Sequence, residues 1–391
     1  MKEIYLDHAA TTKLSPLVLE KMMPYLTNQY GNPSSIYSLG RKSKAALEYA
    51  RDDVAKIFNC KGSEIYFTSC GSESDNLAIR GIVAAHSSKG KHIITSKIEH
   101  PAVLETCKAL ETQGYEVTYL DVDSDGKIKL DELENSIKAE TILISIMFAN
   151  NEIGTIQPIK EIGEIARKHK VIFHTDAVQA VGTINIDVEK LNIDAMSISG
   201  HKFYGPKGIG ALYVRKTVRF NKIQTGGHQE KNKRAGTENV ANIIGLTEAL
   251  KIATNNLEEN NERLTTLRKY YLERLEKEIP HIKLNGHKED RLPGNANVSF
   301  KFIEGESILL HLDANNIFAS SGSACTSGSL EPSHVLLAIG LTHELAHGSL
   351  RVTFGNENTV EDIDTLIKVL KTTVDKLRNM SPLYEDYLKG K

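Results

Sequence analysis

The sequence predicts an α/β protein with a mainly parallel, seven-stranded sheet, and two observations support this fold class. Between residues 65 and 214, short β-branched runs alternate with helical patterns such as SDNLAIRGIVAAH and IKEIGEIARKHK. Most of these runs are continuously apolar, which is typical of strands that are buried on both faces. The predicted strands are EIYFTS, HIITS, EVTYLDV, TILISIMFA, KVIFHTDA, AMSIS and GALYV.

The C-terminal part of the sequence predicts a second, smaller α+β unit. Its first element is a long polar helix, LEENNERLTTLRKYYLERLEKEI, which would connect the two units. A β-α-β-β order follows in NANVSFKF, GESILLHLDANN, NIFASS and LRVTFG, and a last helix is predicted over residues 359–378. The 391 residues are enough for two domains, because single cores rarely grow beyond about 250–300 residues.

Composition and charge exclude several classes of partner. The net charge of −2 gives no electrostatic reason to bind nucleic acid or an anionic membrane. The start MKEIYLDHAATT lacks the features of a signal peptide, and the longest apolar run, ILISIMFA, is too short to cross a bilayer. Cysteines are few and form no CxxC pair, so we expect neither a disulfide framework nor a metal site, and a reducing, cytoplasmic location. They are Cys60, Cys70, Cys107 and Cys325.

One segment matches a calcium-binding pattern without being predicted to bind calcium. DVDSDGKIKLDE, residues 121–132, satisfies the EF-hand loop pattern. An EF-hand has a helix on each side of its loop, whereas the preceding YEVTYL is β-branched and aromatic and is predicted to be a strand. We therefore expect a strand-to-helix turn in which Asp and Gly serve the backbone.

The stretch SISGHKFYGPKGIGALYV contains a candidate Schiff-base lysine. Lys202 follows a buried strand, at the sheet edge where open α/β folds bind ligands. Lysine forms a Schiff base with an aldehyde once its surroundings lower its pKa. Lys207 is an alternative, and a surface lysine in a Gly-rich loop would give a similar pattern. We prefer Lys202 because Ser199 and His201 beside it could hold a phosphate.

Two further strand ends suit pyridoxal phosphate (PLP). Asp176 ends an apolar strand, where it could cap a helix or keep a pyridinium nitrogen protonated. FTSCGSESDNLAIRG predicts a strand, a tight turn and a helix whose free N–H groups could bind phosphate. In that turn, Gly71 allows close backbone approach and Ser72 offers a hydroxyl. Each pattern is common alone, but a lysine, a strand-end aspartate and a phosphate turn together indicate PLP.

Two charged or titratable residues fit the same site. His100, in KIEHPAV, could stack on the cofactor ring and move protons, although a lone histidine is more often structural. Arg351, in GSLRVTFG, alternates with three apolar residues and points away from their face of the strand. It is either an exposed arginine or a bidentate clamp on a substrate carboxylate.

Cys325 stands in ASSGSACTSGSLEP, a run of small polar residues that cannot build a core. A buried structural cysteine more often has apolar neighbours. An exposed thiol is a liability unless its reactivity is used. The composition therefore predicts a loop whose thiol has a chemical role.

A set of characteristic blocks extends over essentially the whole chain: YLDHAATT, YGNPSS, SESDNLAI, TSKIEHPAV, ANNEIGTIQPI, HTDAVQAVG, SGHKFYGPKGIGALYV, RAGTENV, EGES, SSGSACTS and ELAHGSLR. In these blocks and in their order, the sequence resembles the cysteine desulfurases of the NifS and IscS group. This resemblance implies a fold-type I PLP-dependent transferase that converts L-cysteine to L-alanine. It also implies a large PLP-binding domain at 15–258 and a small domain formed by 1–14 and 259–391.

The resemblance also implies a role for individual residues. Lys202 matches the Schiff-base lysine, His100 the ring-stacking acid/base and Cys325 the persulfide-forming cysteine. The other implied cofactor contacts are Gly71, Ser72, Asn151, Asp176, Gln179, Ser199, His201 and, on the neighbouring subunit's phosphate, Thr237. Asn151 and Arg351 match substrate-binding positions. The turn reads CGSES where the family usually has GATES, and because Ser72 keeps a hydroxyl we expect phosphate binding to survive.

The resemblance implies a homodimer that passes sulfur to an acceptor protein, such as an iron–sulfur scaffold. The alternative is a selenocysteine lyase or another fold-type I PLP enzyme, such as an aminotransferase. An aminotransferase has no use for a cysteine in a loop. A non-catalytic sulfur carrier is disfavoured because Lys202, Asp176 and His100 are intact.

Overall fold

The computed structural model describes residues 2–321 and 331–390. The strands are β1 (Ile4–Tyr5), β2 (Ile65–Thr68), β3 (His92–Ser96), β4 (Glu116–Leu120), β5 (Thr141–Ser145), β6 (Ile172–Asp176), β7 (Ala195–Ser199), β8 (Gly210–Val214), β9 (Ile282–Asn285), β10 (Asn295–Phe300), β11 (Ile317–Phe318) and β12 (Ser349–Thr353). The helices are α1 (Pro16–Thr27), α2 (Ser38–Ile57), α3 (Gly71–His86), α4 (Pro101–Glu111), α5 (Leu130–Asn135), α6 (Ile159–His169), α7 (Gln229–Asn232), α8 (Val240–Asn255), α9 (Leu257–Glu278), α10 (Gly305–Asp313), α11 (His334–Ala338), α12 (His343–His347), α13 (Val360–Asn379) and α14 (Pro382–Leu388).

The seven predicted strands form one sheet in the order β2-β8-β7-β6-β5-β3-β4. The pairs β3–β4, β3–β5, β5–β6 and β6–β7 are parallel, whereas β8 is antiparallel to both of its neighbours. The predicted α/β fold and mainly parallel sheet are confirmed.

Consecutive residues of the central strands are buried on opposite faces of this sheet. Ile93 and Leu143 pack with residues of α3 and α4, whereas Ile94 and Ile144 pack with residues of α2, α6 and α8. Because helices cover both faces, every residue of β3, β5, β7 and β8 is buried, which explains why these strands show no alternation of buried and exposed positions.

A separate hydrophobic core lies in the C-terminal part and includes the start of the chain. Strands β9, β10 and β12 form an antiparallel sheet in the order β12-β10-β9, and residues of α9, α10 and α13 pack in the same core. The predicted connecting helix and last helix are confirmed as α9 and α13. The predicted NIFASS strand is present as β11, but it pairs in parallel with β1. The domain boundary at residues 258–259 remains a prediction.

The segment with the EF-hand pattern is a turn between β4 and α5, as predicted. Asp123 accepts hydrogen bonds from the backbone N–H groups of Asp125 and Lys127, both at 2.9 Å. Gly126 has a φ of +82°, a conformation that favours glycine. The acidic and glycine residues therefore close a turn.

Within the described parts of the chain, no helix is long and apolar enough to cross a membrane. The same residues contain no group of three or more His, Cys, Asp or Glu side chains arranged to hold a metal ion.

Candidate active site

The predicted site residues lie where strands of the large sheet end. Asp176 is the last residue of β6 and Ser199 the last of β7, and Lys202 ends the short 3₁₀ helix that follows. Gly71 begins α3 after β2, and His100 caps α4 after β3. Strand ends that lie side by side bring together residues that are far apart in the sequence.

The turn before α3 contacts the end of β7. A Cβ atom added to Gly71 would lie 2.7 Å from Val178 Cγ2 and 3.4 Å from Ser199 Cβ, so a side chain does not fit there. Ser199 is buried, and its hydroxyl has no hydrogen-bond partner among the described residues. A buried polar atom normally has a partner. An unpaired hydroxyl beside the N-terminus of a 16-residue helix fits the phosphate of PLP.

The other two predicted phosphate ligands differ in their surroundings. Ser72 is exposed in the first turn of α3. Burial lowers the pKa of His201 to about 4, and Lys202 and Lys207 act in the same direction. His201 is therefore a neutral imidazole near pH 7, which can still donate a hydrogen bond.

Asp176 is a buried carboxylate whose surroundings suit a cationic ring nitrogen. Its Oδ1 accepts a hydrogen bond from the Val178 N–H at 2.9 Å. Burial raises the pKa of Asp176, whereas His100, this hydrogen bond and Lys202 lower it. A cation beside the carboxylate would offset the cost of burying its charge. The protonated pyridine nitrogen of PLP is such a group.

The hydrogen bond that His100 makes as a helix cap defines its tautomer. Its Nδ1 accepts from the Ala102 N–H at 3.1 Å, so a neutral ring carries its proton on Nε2. Burial lowers the pKa of His100, with Lys202 and His334 lowering it further and Asp176 raising it. A neutral imidazole with one protonated nitrogen is suited to proton transfer.

The N-terminal segment Asp7–Thr12 contacts Lys202 and Gln179, two of the predicted site residues. These contacts were not predicted from the sequence. Lys202 Nζ donates to the backbone carbonyls of Ala9, at 2.6 Å, and Ala10, at 2.8 Å. Gln179 Nε2 donates to the same Ala9 carbonyl at 2.9 Å. The block YLDHAATT is part of the family resemblance, so the sequence did mark this stretch. Its contacts with the site could not be predicted, because they are made largely by backbone oxygens, which every residue has.

The same segment continues along the Ser-Gly-His turn. The Thr12 N–H and hydroxyl both donate to the His201 carbonyl, at 3.0 and 2.9 Å. Thr11 Oγ1 lies 3.0 Å from His201 Nδ1, and the Tyr204 N–H donates to Thr12 Oγ1 at 2.8 Å. The segment is thus fixed to the backbone on both sides of Lys202.

Arg351 is buried, with 2% of its surface exposed, so the exposed-arginine alternative is wrong. Nη1 donates to the Asn151 carbonyl at 3.1 Å, and Nη2 donates to Asp7 Oδ1 at 2.7 Å. The Nε atom has no partner among the described residues. The structure thus brings together Arg351 and Asn151, the two predicted substrate-binding residues.

Comparison with known proteins identifies the family. The aminotransferase class-V family matches residues 4–366. The chain is 58% identical over 382 residues to cysteine desulfurase IscS of Methanosarcina thermophila, covering 98% of this chain and 94% of that protein. It is 54% identical over 392 residues to cysteine desulfurase IscS of Clostridium botulinum strain Hall, covering 100% and 99%. The chain belongs to the cysteine desulfurase family. A solved NifS-like protein matches with a TM-score of 0.91 and 37% identity, covering 96% of this chain and 100% of that one.

The cysteine desulfurase family resemblance predicted from the sequence is therefore confirmed. Cys325, the predicted persulfide-forming residue, lies outside the described residues. On one side of its segment, Ser320 and Arg351 exchange backbone hydrogen bonds. On the other side, Ser333 donates to Glu152 Oε2. The described chain on both sides of Cys325 therefore contacts Arg351 or the residue next to Asn151.

Thr237 lies in the turn before α8 with its side chain exposed. Arg234, three residues earlier, forms an ion pair with Glu73 in the first turn of α3, with Nε and Oε1 2.7 Å apart. Thr237 is not among the side chains gathered around Lys202. Its predicted contact would have to be made in a neighbouring subunit.

Sequence reasoning also missed Glu99, a fully buried acid beside His100. Its Oε1 accepts from Ser96 Oγ at 2.6 Å and from the Met147 N–H at 2.9 Å, so it links the ends of β3 and β5. Burial raises the pKa of Glu99 from 4.5 to about 8. The carboxyl group is therefore largely protonated in the folded protein at neutral pH.

The Glu99→Gln variant should lose part of the pH dependence of stability. Because the pKa of Glu99 is raised by folding, its contribution to the free energy of unfolding is fully present below pH 4.5 and is lost as the pH rises through about 8. We expect the melting temperature of the variant to fall less than that of the wild type between pH 5 and 8. The control is Glu105→Gln, at an exposed position of the adjacent helix α4. Equal slopes for Glu99→Gln and the wild type would contradict this assignment.

Proposed function

We propose that this enzyme is a PLP-dependent cysteine desulfurase that converts L-cysteine to L-alanine and transfers sulfur through a persulfide on Cys325. The observation that supports the proposal most strongly is the arrangement of Lys202, Asp176 and His100 after strands of one sheet. Ser199, at the end of one of these strands, has a hydroxyl without a partner among the described residues. The buried Arg351 adds a binding group for an amino-acid carboxylate.

Each cofactor-binding residue has a chemical role in this proposal. Bound PLP supplies an electron sink that labilises the bonds at the substrate Cα. Lys202 would hold PLP covalently, Asp176 would pair with its ring nitrogen and His100 would lie over its ring. The remaining contacts would come from Gly71, Ser72, Asn151, Gln179, Ser199 and His201, and from Thr237 of the neighbouring subunit.

The enzyme's own groups bind the substrate and move its protons. Arg351 binds the carboxylate of L-cysteine. When Lys202 is not bound covalently, the Ala9 and Ala10 carbonyls hold its amino group beside the site. His100 and Lys202 are the groups that can give or take a proton there.

Cys325 carries the sulfur in the proposed reaction. Its thiolate attacks the sulfur atom of the substrate, and an S–S bond forms as the substrate Cβ–S bond breaks. The electron pair of the broken bond remains on the substrate carbon, which takes up a proton to give alanine. The persulfide then passes its outer sulfur to an acceptor thiolate.

We further propose a homodimer that works in the cytoplasm and delivers sulfur to an acceptor such as an iron–sulfur scaffold. Helix α1 exposes four large apolar side chains, each with more than 40% of its surface accessible: Leu17, Leu19, Met23 and Leu26. Exposed apolar residues that cluster on one element are typical of an interaction surface. A second copy of the chain would also allow Thr237 to reach a cofactor.

The purified protein, incubated with L-cysteine and a thiol reductant, should release alanine and sulfide in equal amounts. L-selenocysteine is the parallel substrate, since a selenocysteine lyase would be the closest alternative. A higher kcat/KM for L-selenocysteine than for L-cysteine would favour that alternative. Release of alanine from neither substrate would contradict the proposal.

A further inference from the structure

Asp7 is the only residue of the N-terminal segment Asp7–Thr12 whose side chain carries a charge beside the site, and it is paired with Arg351. Asp7 Oδ1 and Arg351 Nη2 are 2.7 Å apart, and the two side chains are 17% and 2% exposed. Removing one partner of a buried ion pair leaves an uncompensated charge, which is strongly destabilising. Asp7 therefore makes it possible to keep the guanidinium buried when no substrate carboxylate is present.

The backbone around Asp7 holds this carboxylate in a fixed position. Asp7 forms a parallel β-bridge with Thr353, two residues beyond Arg351 on β12. The Thr353 N–H donates to the Leu6 carbonyl at 2.8 Å, and the Tyr5 hydroxyl donates to the Asp7 carbonyl at 3.0 Å. Asp7 and Arg351 thus lie on backbone stretches that are hydrogen-bonded to each other. The backbone therefore fixes the position of the Asp7 side chain relative to Arg351.

The contacts of the buried guanidinium use its two terminal nitrogens. One terminal nitrogen is used by Asp7 and the other by the Asn151 carbonyl, whereas Nε has no partner among the described residues. An arginine has five N–H donors, and a carboxylate is bound best through two parallel hydrogen bonds. The contacts of Nη1 with Asn151 and of Nη2 with Asp7 therefore determine which N–H groups of Arg351 remain to donate to a carboxylate ligand.

We propose that Asp7 is a positioning residue that orients Arg351 for the substrate carboxylate. The inference rests on the proposed function, because it assumes that Arg351 binds that carboxylate. Asp7 itself does not touch the substrate and acts only through the guanidinium.

Three variants separate the geometric effect of Asp7 from the effect of its charge. Asp7→Ala removes both, Asp7→Asn keeps an oxygen acceptor without the charge, and Asp7→Glu keeps the charge at a longer reach. In Asp7→Ala we expect KM for L-cysteine to rise about ten- to hundredfold, the range of one lost charge-assisted contact, while kcat changes by less than about threefold. Asp7→Asn should lie between Asp7→Ala and the wild type. The control is Lys2→Ala, which removes another ion pair of the N-terminal stretch, with Asp362, away from Arg351.

A second measurement does not depend on turnover. The dissociation constant for the product L-alanine, taken from the change in cofactor absorbance, should rise in Asp7→Ala by the same factor as KM. A crystal structure of that variant should show Arg351 rotated away from the Asn151 carbonyl.

The outcomes separate this inference from the proposed function. If Asp7→Ala binds L-alanine as tightly as the wild type, the inference is wrong and the proposed function stands. If the wild type binds neither L-alanine nor L-cysteine, both are wrong. If Asp7→Ala does not fold, Asp7→Asn decides the matter: wild-type KM and L-alanine binding in Asp7→Asn would overturn the inference.

Discussion

Cys325→Ala should abolish sulfur transfer while cofactor binding at Lys202 persists. The substitution removes the thiolate that is proposed to attack the substrate sulfur. Loss of an activated nucleophile slows a reaction by several powers of ten, on the order of 5–8 kcal/mol in activation free energy. Alanine release and protein-bound persulfide, the latter by mass spectrometry, are the two measurements. The visible absorbance of the bound cofactor should remain.

The other three cysteines provide matched controls. Burial raises the pKa of both the Cys60 and the Cys107 thiol to about 12, so neither forms a thiolate readily. Cys70 caps α3, where its Sγ accepts a hydrogen bond from the Glu73 N–H at 3.4 Å. We expect Cys→Ala variants at all three positions to keep their turnover. A persulfide that maps to Cys70, or wild-type turnover in Cys325→Ala, would refute the proposed sulfur path.

Lys202→Ala should lose the covalent link to the cofactor and essentially all turnover. The phosphate contacts proposed at the start of α3 do not involve Lys202, so the variant should still bind PLP reversibly. Borohydride reduction of the wild type, followed by peptide mapping, should place the cofactor on Lys202. Lys207→Ala is the control and should keep the covalent link. A reduced cofactor on Lys207 would overturn the assignment.

The large sheet was predictable from the sequence, whereas part of the second core was not. Most of the seven strands were recognised from continuously apolar runs, which are typical of strands buried on both faces. The edge strand β4 is only partly buried. Strand β9 was missed, because its burial is incomplete and its sequence, IKLN, has little contrast with its surroundings. The pairing of β1 with β11 could not be predicted either, since two-residue strands separated by more than 300 residues leave no periodic pattern.

The candidate site was predictable where side chains carry the chemistry. Lys202, Asp176 and His100 follow predicted strands, and their arrangement followed from the sheet. The hydrogen bonds that hold the Lys202 amino group were not predictable, because their acceptors are the Ala9 and Ala10 carbonyls and every residue has a carbonyl. The sequence of β12 alone did not indicate whether Arg351 is buried, because its ion-pair partner, Asp7, lies 344 residues away.

The contact between the N-terminal segment and β12 has a consequence for the order of events on the ribosome. Domains fold as they are synthesised, beginning with the N-terminal parts, and contacts between distant residues form late. Residues 65–214 contain the whole large sheet, which can therefore form while the chain is still growing. Asp7 and Ala9 are synthesised before any of these strands. However, β1, just before them, pairs with β11, and Asp7 itself pairs with Thr353 of β12, and both of these strands are translated long afterwards. A nascent chain can thus present Lys202 and Asp176 on a folded sheet before Arg351 has been synthesised. The N-terminal residues, although they are made first, can form their final contacts only after β11 and β12 have been made.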